Sequence, residues 1–280
     1  MARLSMLGNT ALVAVLISIA LVFAAGLIAP VQAGPTQDEE TWASLKPDFF
    51  DKEEILDGSH LVSMEAPKRA HDAAVVPITV KTAPGSDIVK VTLLVDENPI
   101  PLVGVFEFGP AAASASFSTR IRVNSYSFVR AIAETRNGKL YMVKKFVKAS
   151  GGCSAPANKD MDKALAEMGK MKLRLFPAKF EGSEKDQSGA RPAQLMIRHP
   201  NYSGFQMDQV TMLYIPAHFV DTIKVTYDGK LVMKVEGAIS LSEDPNIRFL
   251  YKHTGAGEIS VRATDNEQGT FIQTWPVTGS

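Results

Sequence analysis

Residues 128–156 read FVRAIAETRNGKLYMVKKFVKASGGCSAP, and the first part of this stretch decides the fold class. Residues 128–134 and 140–148 are rich in β-branched and aromatic side chains, and Asn137-Gly138 lies between them. Two such segments around Asn-Gly predict a β-hairpin, because both central residues of the tightest hairpin turn take positive φ. The stretch therefore predicts antiparallel strands.

Segments of similar composition recur at regular spacing on both sides of this hairpin. Upstream they are residues 75–81, 88–95, 103–108 and 114–123. Downstream they are residues 173–176, 194–198, 219–227, 230–235, 247–251, 259–264 and 271–277, with a second tight turn at Asp228-Gly229. No helical pattern long enough for a parallel βαβ unit interrupts either series. The sequence therefore predicts an all-β chain of two antiparallel sandwich modules.

Two short segments are predicted to be helical. Between the modules, apolar residues recur at three- and four-residue spacing within residues 158–171, which is typical of an amphipathic helix. Near the start, residues 42–56 mix aromatic and charged side chains and predict a short helix, broken at Pro47, that packs on the first module.

The beginning of the chain resembles an export signal. An uninterrupted apolar run covers residues 11–27, and Val31-Gln32-Ala33 offers a small-residue cleavage site before Gly34. We expect a signal peptide over residues 1–33; the alternative is an uncleaved membrane anchor, because the run approaches spanning length. Either way the folded part is expected outside the cytoplasm, with no other membrane segment.

Composition excludes several classes of partner. The chain has 30 lysines plus arginines against 30 aspartates plus glutamates, so it offers no basic field for nucleic acid or an anionic membrane. The two tryptophans do not form a stacking platform with a basic groove. No Gly-rich phosphate loop and no metal-binding His-Glu-x-x-His motif are present, so we predict no cofactor and no metal.

Cys153 is the chain's one cysteine, and it follows the second strand of the opening hairpin. In an exported protein a single cysteine cannot form an intramolecular disulfide, so it is a buried apolar residue, an intermolecular link or a reactive thiol. Gly151 and Gly152 argue against burial and predict an exposed, flexible peptide. The nearby lysines are either a modest electrostatic aid to the thiolate or a solvated face; they are Lys144, Lys145, Lys148, Lys159 and Lys163.

Catalysis by this cysteine would require a fixed histidine base within hydrogen-bond reach. A flexible Gly-Gly segment cannot hold its sulfur in register with any of the five histidines, and no cysteine-hydrolase signature surrounds Cys153. His199 and His218 could meet in space, but structural roles are expected for them. We therefore predict a protein that is not an enzyme and whose mobile thiol visits the active sites of other proteins.

Several motifs of the first module follow a known family pattern. They are Glu97-Asn98-Pro99-Ile100-Pro101, Phe106-Glu107-Phe108, Ser118-Thr119-Arg120-Ile121-Arg122-Val123, Val129-Arg130-Ala131-Ile132-Ala133-Glu134 and Val147-Lys148-Ala149-Ser150-Gly151-Gly152-Cys153. By these residues the first module resembles the SoxY subunit of the SoxYZ sulfur-carrier complex. The second module contains Ile197-Arg198-His199-Pro200, Ile215-Pro216-Ala217-His218-Phe219-Val220, Val225-Thr226, Asp228-Gly229-Lys230 and Asp265-Asn266. By these residues it is similar to SoxZ.

The resemblance implies two immunoglobulin-like antiparallel β-sandwich domains that pair within one chain. The expected divisions are a signal peptide at 1–33, a SoxY-like domain with the carrier arm at 34–155, a helical linker at 156–170 and a SoxZ-like domain at 171–280. It also implies a periplasmic carrier in which Cys153 holds a sulfur-oxidation intermediate covalently, and Gly151, Gly152 and Ser154 form the arm. Its partners would be sulfur-oxidation enzymes.

One departure from the two-subunit carrier affects the expected partners. In that carrier the cysteine lies near a free C-terminus, whereas here the chain continues from Ser154-Ala155-Pro156 into a second module, so the arm is tethered at both ends. Such single-chain fusions resemble carriers associated with quinoprotein dehydrogenases of methanol or alcohol oxidation. The alternative function is therefore a non-covalent accessory protein of such a dehydrogenase and cytochrome c system. A cysteine-linked dimer is a third possibility.

Overall fold

The computed structural model describes residues 37–51, 53–156, 161–177 and 189–279. In the first half (37–156) the strands are β1 (Ile55–Asp57), β2 (Val62–Glu65), β3 (Val76–Thr82), β4 (Ile88–Val95), β5 (Leu102–Phe108), β6 (Ala112–Ile121), β7 (Ser127–Thr135) and β8 (Leu140–Val147). In the second half (161–279) they are β9 (Met171–Leu175), β10 (Ala190–Ile197), β11 (Val220–Tyr227), β12 (Lys230–Gly237), β13 (Asn246–Lys252), β14 (Gly257–Asp265) and β15 (Thr270–Val277). The helices are α1 (Gln37–Phe50) and α2 (Met161–Ala166).

The strands form two sheets within the described residues. The larger has the order β1-β8-β7-β4-β5-β12-β11-β14-β15, and the smaller has the order β2-β3-β6-β13-β10-β9. Neighbouring strands are antiparallel except β1 and β8, which pair in parallel. The prediction of an all-β fold with two sandwich halves is confirmed.

Both sheets run without interruption from one half into the other, which the sequence did not indicate. In the larger sheet β5 pairs with β12, and Phe106 lies opposite Val235. In the smaller sheet β6 pairs with β13, and Phe117 lies opposite Phe249. The expected pairing of the two halves is therefore made by main-chain hydrogen bonds in addition to side-chain packing.

One hydrophobic core fills the space between the two sheets and extends through both halves. Phe106 of the larger sheet stacks on Phe117 of the smaller sheet, with ring centroids 3.9 Å apart. Strands β6 and β11 alternate buried and partly exposed positions, as expected for strands with one face on a core.

Helix α1 covers the outer face of the larger sheet. Its Trp42, Phe49 and Phe50 pack over Leu94 and neighbouring apolar residues, so the prediction that this helix packs on the first module is confirmed. The predicted break is wrong, because the helix continues through Pro47 to Phe50.

Beneath α1, Arg130 and Asp96 form a buried ion pair. The Arg130 Nε donates to both carboxylate oxygens at 2.9 and 2.8 Å, and the two side chains are 1% and 2% exposed. The guanidinium also lies 4.3 Å from the centre of the Trp42 ring, so it connects the helix to the sheet.

The two predicted hairpin turns differ in outcome. Asp228 and Gly229 both have positive φ, 47° and 72°, so this tight turn is confirmed. In the other hairpin only Gly138 does, at 83°, and Thr135 N donates to Lys139 O. That connection is a three-residue loop in which Gly138 supplies the left-handed position, so the two-residue turn was the wrong assignment.

Some sequence predictions lie outside the described residues. These are the signal peptide at 1–33 and part of the linker at 157–160. The described part of the linker does contain a helix, α2, which ends at Ala166, before the predicted end at residue 171. No helix among residues 37–51, 53–156, 161–177 and 189–279 is long and apolar enough to cross a membrane.

Candidate functional site

The cysteine segment (residues 150–156) follows β8 and lies against the backbone of the first half. Just before it, Lys148 N donates to Lys68 O at 3.0 Å, which continues the path of β8. Gly151 N then donates to Asn124 O at 2.8 Å, and Gly152 N to Val123 O at 3.2 Å. These backbone hydrogen bonds hold the segment in one position on the first half, its seat.

The two glycines fit this seat for different reasons. Gly151 has a φ of 78°, which a residue with a side chain adopts only with strain. Gly152 is buried, and a Cβ on it would lie 2.1 Å from Ala73 O and 2.7 Å from Val123 O. The Gly-Gly pair therefore allows a close backbone approach, and in this conformation it does not provide flexibility.

The second half holds the segment from the other side. Within the retaining loop (residues 201–217), the Ser203 hydroxyl donates to Cys153 O, and Gln206 Nε2 donates to Ala155 O at 3.0 Å. From the first half, Asn124 Oδ1 accepts a hydrogen bond from Cys153 N at 3.3 Å. The cysteine thus lies where the two halves meet.

The expectation of an exposed thiol is wrong for this conformation, because Cys153 is 0% exposed. Burial raises the pKa of its thiol to about 11, and Arg122 acts in the opposite direction. The thiol is therefore protonated at neutral pH. Of the predicted arm residues, Gly152 is buried, Gly151 is partly exposed and Ser154 is exposed, with its hydroxyl 3.4 Å from Gly151 O.

Arg122 contacts both the cysteine segment and the retaining loop. Its Nη1 donates to Gly152 O at 3.2 Å, and its Nη2 donates to Asn201 O at 3.0 Å. Among the described residues, the cation that influences the pKa of Cys153 is this buried arginine, and Lys144, Lys145, Lys148 and Lys163 do not contribute to that shift. Lys159 lies outside the described residues.

The pH dependence of thiol labelling should report this burial. Because the thiolate is the reactive form, we expect iodoacetamide labelling of native Cys153 to keep rising about tenfold per pH unit between about pH 8.5 and 10. In urea-unfolded protein the rate should level off near the ordinary thiol pKa, about 8.5. The raised pKa of the folded state also means that the stabilisation from burying the neutral thiol is complete below about pH 8.5 and is lost towards pH 11. A native profile that levels off near pH 8.5 would contradict the buried ground state.

His199, His218 and Asp265 form a polar cluster in the second half. Asp265 Oδ2 lies 3.0 Å from His218 Nε2 and 3.5 Å from His199 Nε2. Burial and then the neighbouring His218 lower the pKa of His199 to about 4, so this ring is neutral at pH 7. Burial acts to raise the pKa of Asp265, but hydrogen bonds from His218 and Gly269 outweigh it and the pKa is lowered.

The proton on His199 argues against a metal at this cluster, although its ligand atoms all lie within 4.8 Å of one another. Asn201 N donates to His199 Nδ1 at 3.1 Å, so the neutral ring carries its proton on Nε2 and donates it to Asp265. A metal ion would require the lone pair of that same Nε2, together with loss of the proton. The cluster is therefore suited to holding together the chain just after β10 (His199), the chain just before β11 (His218) and the end of β14 (Asp265).

The family comparisons divide the chain at the cysteine segment. Residues 46–153 match the family of the sulfur oxidation protein SoxY, and residues 180–276 match that of the sulphur oxidation protein SoxZ. The chain is a single-chain fusion of a SoxY domain and a SoxZ domain. The SoxY match ends at Cys153.

Solved structures similar to the chain resemble only part of it. The sulfur carrier protein SoxY from Chlorobium limicola f thiosulfatophilum is 23% identical, covers 39% of this chain and 92% of its own, and has a TM-score of 0.34. A superoxide reductase (neelaredoxin) from Ignicoccus hospitalis is 18% identical, covers 32% of this chain and 80% of its own, and has a TM-score of 0.29. No curated protein matches the chain significantly.

Several residues of the site could not be recognised from the sequence. Ser203 and Gln206 belong to the SoxZ domain and bond the cysteine segment across about fifty positions of sequence. Arg122 and Asn98 stand within the motifs that resemble SoxY, and Asn98 supports the site by donating to Arg122 O at 2.8 Å. The motifs contained these residues, but no local pattern assigned them to the cysteine.

The retaining loop also exposes apolar side chains. Val210 is 90% exposed, and the other exposed apolar residues of the loop are Phe205, Met212, Leu213 and Tyr214. Ser203 and Gln206, which bond the cysteine segment, belong to the same loop. A molecule that binds these apolar side chains would therefore contact the element that retains Cys153.

Proposed function

We propose that this SoxY–SoxZ fusion is an exported, periplasmic carrier that holds a sulfur-oxidation intermediate covalently on Cys153 and presents it to partner enzymes. The observation that carries the proposal is the position of Cys153. The one cysteine of the chain is the last residue of the SoxY match, and it lies at the junction with the SoxZ domain.

The contacts of the cysteine segment are compatible with release. The SoxZ domain bonds the segment through the side chains of Ser203 and Gln206 to two backbone carbonyls, and water can replace each bond. A hydrogen bond of this kind contributes roughly 0.5–1.5 kcal/mol net, so breaking these two bonds to the SoxZ domain costs less than global unfolding. Because it is tethered at both ends, the opened segment would present the thiol as a loop. The exposed apolar side chains of the retaining loop provide a surface for the partner enzyme beside it.

Intact-mass measurement of the protein purified from its host tests the carrier function. We expect adducts on the mature chain that a reductant releases and that are absent from Cys153→Ser. Ser is the matched substitution because it keeps the size and polarity of the side chain but lacks the nucleophilic sulfur. An unmodified mass under every growth condition would exclude the carrier function.

A second candidate is a non-covalent accessory protein of a periplasmic quinoprotein dehydrogenase, with an incidental cysteine. The buried thiol, protonated at neutral pH, favours this candidate. It predicts that Cys153→Ala restores full growth of a deletion strain on the dehydrogenase substrate. The carrier function predicts that the same variant fails to restore sulfur oxidation.

A further inference from the structure

Arg122 is a buried cation whose hydrogen-bond partners in the described residues carry no charge. The residue is 1% exposed, and its two guanidinium contacts, Gly152 O and Asn201 O, are neutral carbonyls. Its Nε is buried and has no hydrogen-bond partner among residues 37–51, 53–156, 161–177 and 189–279. A buried charge is costly unless it is paired, so this arrangement calls for an anion.

Arg130 is a second buried arginine of this chain, and its role is structural. It is equally buried, but its guanidinium is paired with both oxygens of Asp96. For Arg122, burial lowers the pKa, and Glu243, Cys153 and Asp72 act against it, none of them through a hydrogen bond. Because Arg122 Nη1 bonds the carbonyl of Gly152, the residue directly before Cys153, a group attached to the cysteine sulfur would be near Arg122 as well.

We infer that Arg122 is the residue that recognises a negatively charged group attached to Cys153. This inference rests on the proposed carrier function and adds the protein group that holds the cargo. A sulfur oxyanion keeps its charge throughout the physiological pH range, unlike the neutral thiol, and it offers acceptor oxygens to the Nε–H. Arginine suits this role because its planar fork of donors matches the geometry of oxyanions.

Two reagents place a charged or a neutral group on the same sulfur. In the first reaction the Cys153 thiolate attacks an inner sulfur of tetrathionate, forms Cys–S–S–SO₃⁻ and releases thiosulfate. In the second it attacks the methylthio sulfur of methyl methanethiosulfonate, forms Cys–S–S–CH₃ and releases methanesulfinate. Both reactions exchange one S–S bond for another, and the leaving group takes the electron pair.

The experiment compares the rate constants of the two reactions in the full-length chain at one pH, followed by intact mass. We expect Arg122→Gln to lower the ratio of the tetrathionate rate to the methyl methanethiosulfonate rate about tenfold or more, and Arg122→Lys to keep most of it. Ser203→Ala is the matched control: it removes a bond to the cysteine segment without changing charge, so both rates should rise and their ratio should stay within about twofold. An Arg122→Gln ratio equal to that of Ser203→Ala would overturn the role of Arg122.

A measurement on the unsubstituted protein covers the case in which Arg122→Gln does not fold. The peptide Gly-Gly-Cys-Ser-Ala gives the intrinsic ratio of the two rates. We expect the native protein to exceed this ratio about tenfold. A protein ratio no higher than that of the peptide would overturn the inference. This outcome is distinct from failure of the carrier function, which is judged by the adducts of the host-purified protein.

Discussion

Gly152→Ala is expected to displace the cysteine segment from its seat and to expose Cys153. The added Cβ would lie 2.1 Å from Ala73 O and 2.7 Å from Val123 O, and both are backbone atoms that cannot move aside easily. Overpacking of this kind costs roughly 1–3 kcal/mol, which shifts the opening equilibrium about 5- to 150-fold. Iodoacetamide labelling of native Cys153 at pH 8 should accelerate by the same factor.

Gly138→Ala is the control for this experiment. Unlike Gly152, Gly138 has a positive φ, 83°, but an added Cβ there meets nothing within 4 Å, and the residue lies in the β7–β8 loop away from the cysteine. The control should lose about 1 kcal/mol to backbone strain and leave the labelling rate unchanged. Equal labelling rates for Gly152→Ala and the unsubstituted protein would show that Cys153 does not rest in the seat described.

Asp96→Ala should cause the largest loss of stability among the substitutions considered. It would leave the Arg130 guanidinium buried beneath α1 without its carboxylate. Removing one partner of a buried ion pair typically costs 3–5 kcal/mol, because the other charge remains buried and uncompensated. Urea denaturation should therefore show a loss of about that size, and failure of the variant to fold would agree with it.

The exposed pair between Lys81 and Glu65 provides the control for the buried one. Its charged atoms are similarly close, at 2.7 Å against 2.8 Å in the buried pair, but the side chains are 38% and 66% exposed. Solvent screens such a pair, so Glu65→Ala should cost less than about 1 kcal/mol. If Asp96→Ala and Glu65→Ala lowered the free energy of unfolding by similar amounts, the expected larger contribution of the buried pair to stability would be contradicted.

The strands could be predicted from the sequence because their signals are local. Residues 88–95 carry a run of β-branched and aliphatic side chains, and β4 (Ile88–Val95) has the same bounds. The length of the Asn137-Gly138 turn could not be predicted from the sequence, for a physical reason. Asn-Gly suits a two-residue turn and also a longer loop that needs one left-handed glycine, and only the register of the strands distinguishes them.

The environment of the cysteine could not be predicted, because it depends on contacts between distant parts of the chain. Glycine permits flexibility and also permits another backbone to approach closely, and the sequence favours neither use. Gly152 serves the second use only because residue 73 passes beside it. Likewise, Arg122 stands in a strand-like motif, and its position between the two domains follows from the tertiary fold.

The continuity of the two sheets has a consequence for the fusion as a biological unit. Strands β5 and β6 of the SoxY domain are interior strands only because β12 and β13 of the SoxZ domain complete them. If the domains were separated, each would expose two further sheet edges, which are templates for aggregation. A single polypeptide supplies both partners at equal copy number and at high local concentration. Linking the two domains thus protects these edges from the moment both have been synthesised.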